Sequence, residues 1–121
     1  MALKKVFQRF TQPMQEIDHA RLREFACAVQ GAVDIAAAEP RQELTLAGQI
    51  KYVRIVPRPD GSPWLEATVD DGTGSITVLW TGRKKIPGVR PGQRVVIKGR
   101  GAPTGPGGRL LIYNPRYELQ G

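Results

Sequence analysis

Apolar and polar positions along this chain change their period once, near residue 44. Before that point the period is helical. Leu3, Val6, Phe7 and Phe10 recur at i, i+3, i+4 and i+7, with Lys4, Lys5 and Arg9 between them, which predicts a short amphipathic helix over 3–10. Two turns alone are marginal in water, so this segment needs something to pack on. Docking on its own domain, a frayed terminus, a membrane surface and a partner are the alternatives. Residues 13–30 predict a longer helix with Ile17, Leu22, Phe25, Ala26 and Val29 as its apolar stripe. Asp18 is a candidate N-cap and Gly31 a candidate C-terminal stop. "AVDIAAAEPRQE" reads as a connector with room for a short helical turn.

From residue 44 the period is two. "LTLAGQIKYVRIV" (44–56) predicts a first strand, with Gly48 suggesting a bend or bulge and Tyr52 falling where its face cannot be assigned. "PRPDGSP" (57–63) is loop, with Asp60-Gly61 as turn chemistry. "WLEATVD" (64–70) alternates, with Leu65, Ala67 and Val69 on one face and Trp64, Glu66 and Thr68 on the other. "SITVLW" (75–80), "RVVIKG" (94–99) and "RLLIYN" (109–114) complete five strands. The longest connector, "TGRKKIPGVRPGQ", separates strands three and four. Short strands at this spacing predict a small closed barrel, and a crossover after strand three is that of a five-stranded OB-fold Greek-key barrel. The expected organisation is an N-terminal α-helical extension and connector over 1–43 and a mainly β barrel over 44–119.

Charge sharpens the picture. The net charge is +7 in 121 residues, and residues 1–43 balance six basic against six acidic side chains. Residues 44–121 hold twelve basic and five acidic, so the whole excess lies in the predicted barrel. A surface biased in this way attracts polyanions. No apolar run approaches the ~18 residues of a membrane-spanning helix, so no membrane role is expected. With one cysteine, Cys27, and no continuous apolar leader, a reducing, cytoplasmic setting is expected.

The motifs "LAGQI", "LEATVDDGTGSITVLW", "VRPGQRVVIKG" and "IYNPRYEL" resemble OB-fold nucleic-acid-binding domains. The Gly-Thr-Gly hairpin and the terminal Asn-Pro-Arg-Tyr-Glu are similar to the wedge domain of junction-processing DNA helicases. "WTGRKKIPGVRPG" resembles small stand-alone OB-fold proteins of actinobacteria. The resemblance covers about residues 44–119 and implies DNA, more than RNA, as partner, in repair, recombination or replication. Motor activity is not implied. The chain has no G-x-x-x-x-G-K-[ST], and "GRGAPTG" has the wrong spacing and lies between strands.

Catalysis finds little support. His19 and Cys27, eight apart, are too few for zinc, and adjacent Asp70 and Asp71 point to opposite faces of an extended strand. They read as turn-forming carboxylates that bond local backbone. No enzyme activity, cofactor or metal is expected. The candidate nucleic-acid-binding residues are Lys51, Arg54, Arg58, Trp64, Thr68, Thr77, Arg83, Lys84, Lys85, Arg100, Arg109 and Tyr113. Single-strand binders of this fold combine a basic groove with stacking side chains. Trp64 is either such a platform, or a lid on the barrel, or a contact for the N-terminal helix. Trp80 shares parity with Ile76 and Val78, which favours core or barrel rim over ligand. Tyr113 either binds a partner or caps the barrel. The expected function is binding of single-stranded or branched DNA with little sequence specificity. The alternative is an adaptor that uses the basic surface or the N-terminal helix to hold a protein partner or form a homo-oligomer.

Overall fold

A computed structural model describes residues 16–103 and 110–121. The predicted helix over 3–10, and Arg109, lie outside the described residues. A helix α1 occupies 16–28, followed by a single 3-10 turn at Ile35–Ala37. Six strands follow: β1 (Glu43–Pro57), β2 (Pro63–Asp70), β3 (Ser75–Thr81), β4 (Arg94–Arg100), β5 (Leu111–Tyr113) and β6 (Arg116–Gln120). They form one sheet in the order β5-β3-β2-β1-β4-β6.

β1 is long enough to serve two partners. Glu43–Gln49 pairs with β4, and Gln49–Pro57 pairs with β2. The register slips between Ile50 and Tyr52, so the bulge sits at Lys51 rather than at Gly48. Gly48 has a different duty. A Cβ there would stand 2.7 Å from the Asp70 carbonyl oxygen and 2.9 Å from Val69 Cγ1, so only a glycine lets the strands approach this closely. β3 and β5 run parallel, as the crossover requires. The predicted closed barrel is corrected: among the described residues the pairing that would join β4 to β5 is one isolated bridge, from Gly101 just past β4 to Ile112 of β5.

The count of five strands is also corrected, to six. Asn114 takes a left-handed conformation (φ 48°) and Pro115 follows, so β5 ends and the chain re-enters the sheet as β6 beside β4. The Asn114 carboxamide oxygen accepts from Thr81 N at 3.0 Å, which holds the break against β3.

The core is the inner face of the strands: Leu46, Ile50, Val69, Val78, Val95, Ile97 and their neighbours, with Ile35 of the 3-10 turn and Ile86 and Val89 of the connector closing it. The outer face of β1 and β4 is covered by α1, where Ala26 packs on Ala47 and Val96 with Phe25, Val29 and Ala32 around them. The helix stops at residue 28, short of the predicted 30, and Gly31 (φ 81°) lies in the turn that follows it. Asp18 is not an N-cap, because the helix is already formed at residue 16. Ile17 is exposed rather than part of the buried stripe.

Candidate nucleic-acid interface

The aspartate pair resolves into two unequal roles. Asp70 is half-buried and accepts one turn bond, from Gly72 N at 2.7 Å. Asp71 is 1% exposed. One oxygen accepts from Thr73 N (2.8 Å), Thr73 Oγ1 (2.6 Å) and Gly74 N (3.2 Å). The other accepts from Ile35 N at 2.9 Å and lies 3.5 Å from the Arg23 guanidinium. Arg23 also donates to the Asp71 carbonyl and to Asp34, each at 2.8 Å. Burial pushes the Asp71 carboxyl up, but the bonds from Thr73, Ile35 and Gly74 outweigh it and hold the group below the ordinary aspartate range. The expected local bonding is present, and it extends to a residue 36 positions away. Both carboxylate oxygens accept from the protein, so this carboxylate organises a joint between hairpin, connector and helix.

The outer face of β1, β2, β3 and β5 is arranged differently. Past the bulge, Tyr52 and Arg54 stand on it, and Tyr52 is 72% exposed. β2 contributes Trp64, Glu66 and Thr68, as its parity predicts, because Leu65, Ala67 and Val69 are buried inward. β3 contributes Ser75 and Thr77, the latter buried at the floor. Together with Leu110, Tyr52, Glu66, Thr68, Ser75 and Thr77 line a groove of about 640 Å³. This is within the size range of ligand clefts, about 300–1,000 Å³.

At one end of this face the aromatics cluster. Tyr113, 47% exposed, meets Trp64 edge to face at 6.0 Å between ring centres. The Arg58 guanidinium lies over the Trp64 ring at 4.1 Å. One face of the indole is therefore occupied by a cation, a contact worth about 0.5–1 kcal/mol at an exposed site. Loop 57–63 is tied by its own turn, with Asp60 accepting from Ser62 N and Oγ at 3.0 and 2.7 Å, and Gly61 at φ 82°. That turn keeps Arg58 within reach of the ring.

The remaining candidates are dispersed. Arg54 is paired with Glu66 directly across the β1–β2 ladder. Lys51, in the bulge, donates to Gln49 at 3.4 Å, and Gln49 in turn donates to the Gly92 carbonyl, away from the groove. Arg83, Lys84 and Lys85 are exposed on the connector after β3. Lys84 and Lys85 border a separate hollow. Arg100 is exposed at the far end of β4, opposite Glu43. Trp80 is 5% exposed and packs edge to face on Tyr117 at 5.6 Å, so it belongs to the core.

Sequence reasoning missed Tyr52, Glu66 and Ser75 as groove residues. Tyr52 could be placed only once the bulge fixed its parity. Glu66 and Ser75 share the outward parity of Trp64 and Thr77 and were legible on that ground.

No protein-family model and no curated protein matches the chain. Solved structures do match, and two of them show its architecture. RecG bound to a three-way DNA junction superposes with a TM-score of 0.63 at 17% identity, over 82% of this chain. This chain spans only 14% of that RecG chain. The second OB-fold domain of replication protein A from Methanococcus maripaludis superposes with a TM-score of 0.54 at 19% identity, over 73% of this chain and 93% of that one. With the strand order, the doubly used β1 and the parallel β3–β5 pair, these likenesses establish that the chain has an OB fold.

Proposed function

We propose that this chain is a non-enzymatic nucleic-acid-binding protein that takes single-stranded or branched DNA, with low sequence specificity, along the outer face of β1, β2, β3 and β5. The observation that carries the reading is one sheet face that bears three exposed or half-exposed aromatics: Tyr52 lining the groove, and Trp64 in contact with Tyr113 and Arg58 at one end. Rings of this kind stack any base at about 1–3 kcal/mol each, which gives affinity without base readout. Thr68, Ser75 and Thr77 supply hydroxyls along the floor for sugar and phosphate oxygens. The Arg58 guanidinium carbon already lies 4.1 Å from the centre of the Trp64 ring, so a base stacks on the free side of the indole or displaces the cation toward a phosphate.

The acidic group in the groove, Glu66, is held by Arg54, and the buried Asp71 is fully engaged, which supports binding rather than acid–base chemistry. Preference for DNA and for branches rests on the likeness to RecG, whose structure holds a three-way DNA junction. The test is fluorescence anisotropy with labelled single-stranded, duplex and forked oligonucleotides at low and moderate salt. Binding to single-stranded and forked DNA that weakens steeply with salt is expected. No binding at low salt overturns the reading.

A further inference from the structure

β1 is served unevenly along its two edges. On the β2 side it is paired out to Pro57, but on the other side the ladder with β4 stops at Gln49. Ile50 is still satisfied there, donating to Gln93 O at 2.9 Å and accepting from Gly92 N at 2.8 Å. Among the described residues, no backbone bond reaches 51–57 on that edge. The direction of the free groups follows from two prolines. Pro57 and Pro63 stand opposite each other, and neither has an N–H, so theirs is a non-hydrogen-bonded pair. Alternation makes Ile55–Leu65 and Val53–Ala67 pairs of the same kind. The N–H and C=O of Val53 and Ile55 therefore point away from β2, toward the unserved edge.

Beside that edge lies a second hollow, of about 320 Å³, whose lining includes Val53, Ile55, Ile86 and Val89, with Lys84 and Lys85. Val53 and Arg54 border both hollows, but Ile55, 53% exposed, has the opposite parity to Tyr52 and Arg54 and lies off the groove face.

We infer that this slot receives an extended, acidic peptide segment of a partner protein, added to β1 as a further strand. The free donors and acceptors of Val53 and Ile55 match a peptide backbone, and alternate apolar side chains of the added strand fill the aliphatic hollow. Lys84 and Lys85 select acidic residues at the positions between. A second copy of this chain fits poorly, because antiparallel self-pairing that joins Val53 to the Ile55 of the copy would set Arg54 against its own copy. A nucleic acid fits less well, because the lining of this hollow has no aromatic ring for a base to stack on.

The probe is a short labelled peptide alternating glutamate with isoleucine, about six residues long, titrated into the full chain. Its controls are the same peptide with lysine for glutamate, and one N-methylated at alternate residues. The acidic peptide is expected to bind. Either control, or the K84E/K85E variant, is expected to weaken binding about tenfold or more. Ile55→Pro removes an outward N–H without a β1–β2 bond and is expected to weaken the peptide while leaving oligonucleotide affinity unchanged. Trp64→Ala is expected to do the reverse, so failure of this inference and failure of the nucleic-acid reading are separable. Equal binding of acidic and basic peptides, indifference to N-methylation, or loss of peptide binding on Trp64→Ala overturns the inference. A concentration-dependent dimer in light scattering that Ile55→Pro abolishes would give the edge to a second copy and overturn it too.

Discussion

The turn end and the outer face of the β2–β3 hairpin are made of similar residues used in opposite ways. Asp71 and Thr73 at the turn carry polar groups that the protein itself consumes, in bonds reaching Ile35 and, through Arg23, Asp34. Thr68 and Ser75, a few residues away on the same two strands, line a groove, and Trp64 stands at one end of the same sheet face. What separates a structural polar residue from a binding one is therefore its partner, not its chemistry or its place in the chain. The turn is a joint that holds helix, connector and sheet in register. The face is a surface that keeps its capacity for something else.

The largest effect expected from breaking this contrast is at the joint. Asp71→Ala removes the buried acceptor for Ile35, Thr73 and Gly74 and the carboxylate beside Arg23, which keeps the Asp71 carbonyl and Asp34, and should cost about 3 kcal/mol of stability. Asp70→Ala, one residue away, loses a single turn bond and should cost about 1 kcal/mol. Urea denaturation of the two variants measures the difference, and equal losses would dissolve the distinction between the carboxylates. The joint should also carry a pH signature. The folded Asp71 carboxyl lies below the ordinary value, so its stabilisation is fully present above the unfolded pKa, about 3.9, and is lost as pH falls through the folded value. Urea midpoints below pH 4 should fall faster for the wild type than for Asp71→Asn, which has no such charge to lose.

Next in size is the face itself. Trp64→Ala should weaken single-stranded DNA by about 1–3 kcal/mol, read by anisotropy, with a smaller loss in the urea midpoint because the ring is only half-buried. A large loss of stability with unchanged affinity would make Trp64 a structural lid that Arg58 and Tyr113 help to seat.

Much of this contrast could be read from the chain, and the rest has definite reasons. Period-two alternation placed Leu65, Ala67 and Val69 inward and Trp64 outward, because successive residues of a pleated strand face opposite sides, and it favoured core or rim for Trp80, which the structure puts in the core. Parity failed wherever the backbone broke the pleat. The bulge at Lys51 hid the face of Tyr52, and the left-handed Asn114 ends β5 within the strand expected over 109–114 and lets a further strand, β6, follow it. The reach of Asp71 to Ile35 was not legible at all, since a partner 36 residues away is set by how the connector folds back and not by any local pattern. The pairing of Arg54 with Glu66 was hidden for the same reason. Their opposition depends on a register that the bulge shifts by one.

That pair yields the smallest effect and the finest distinction. Arg54 stands on the groove face, but its guanidinium is committed to Glu66, so it behaves as part of the joint rather than as part of the surface. Arg54→Ala should then change DNA affinity little and leave the slope of log affinity against log salt where it was. Glu66→Gln removes the charge that holds Arg54 and frees it for a phosphate. The expected result is tighter binding by up to about 1 kcal/mol and a salt slope steeper by roughly one phosphate contact. If Arg54→Ala alone flattens the slope by that amount, Arg54 already exchanges Glu66 for phosphate when DNA arrives. The boundary between joint and face would then lie on the other side of this pair.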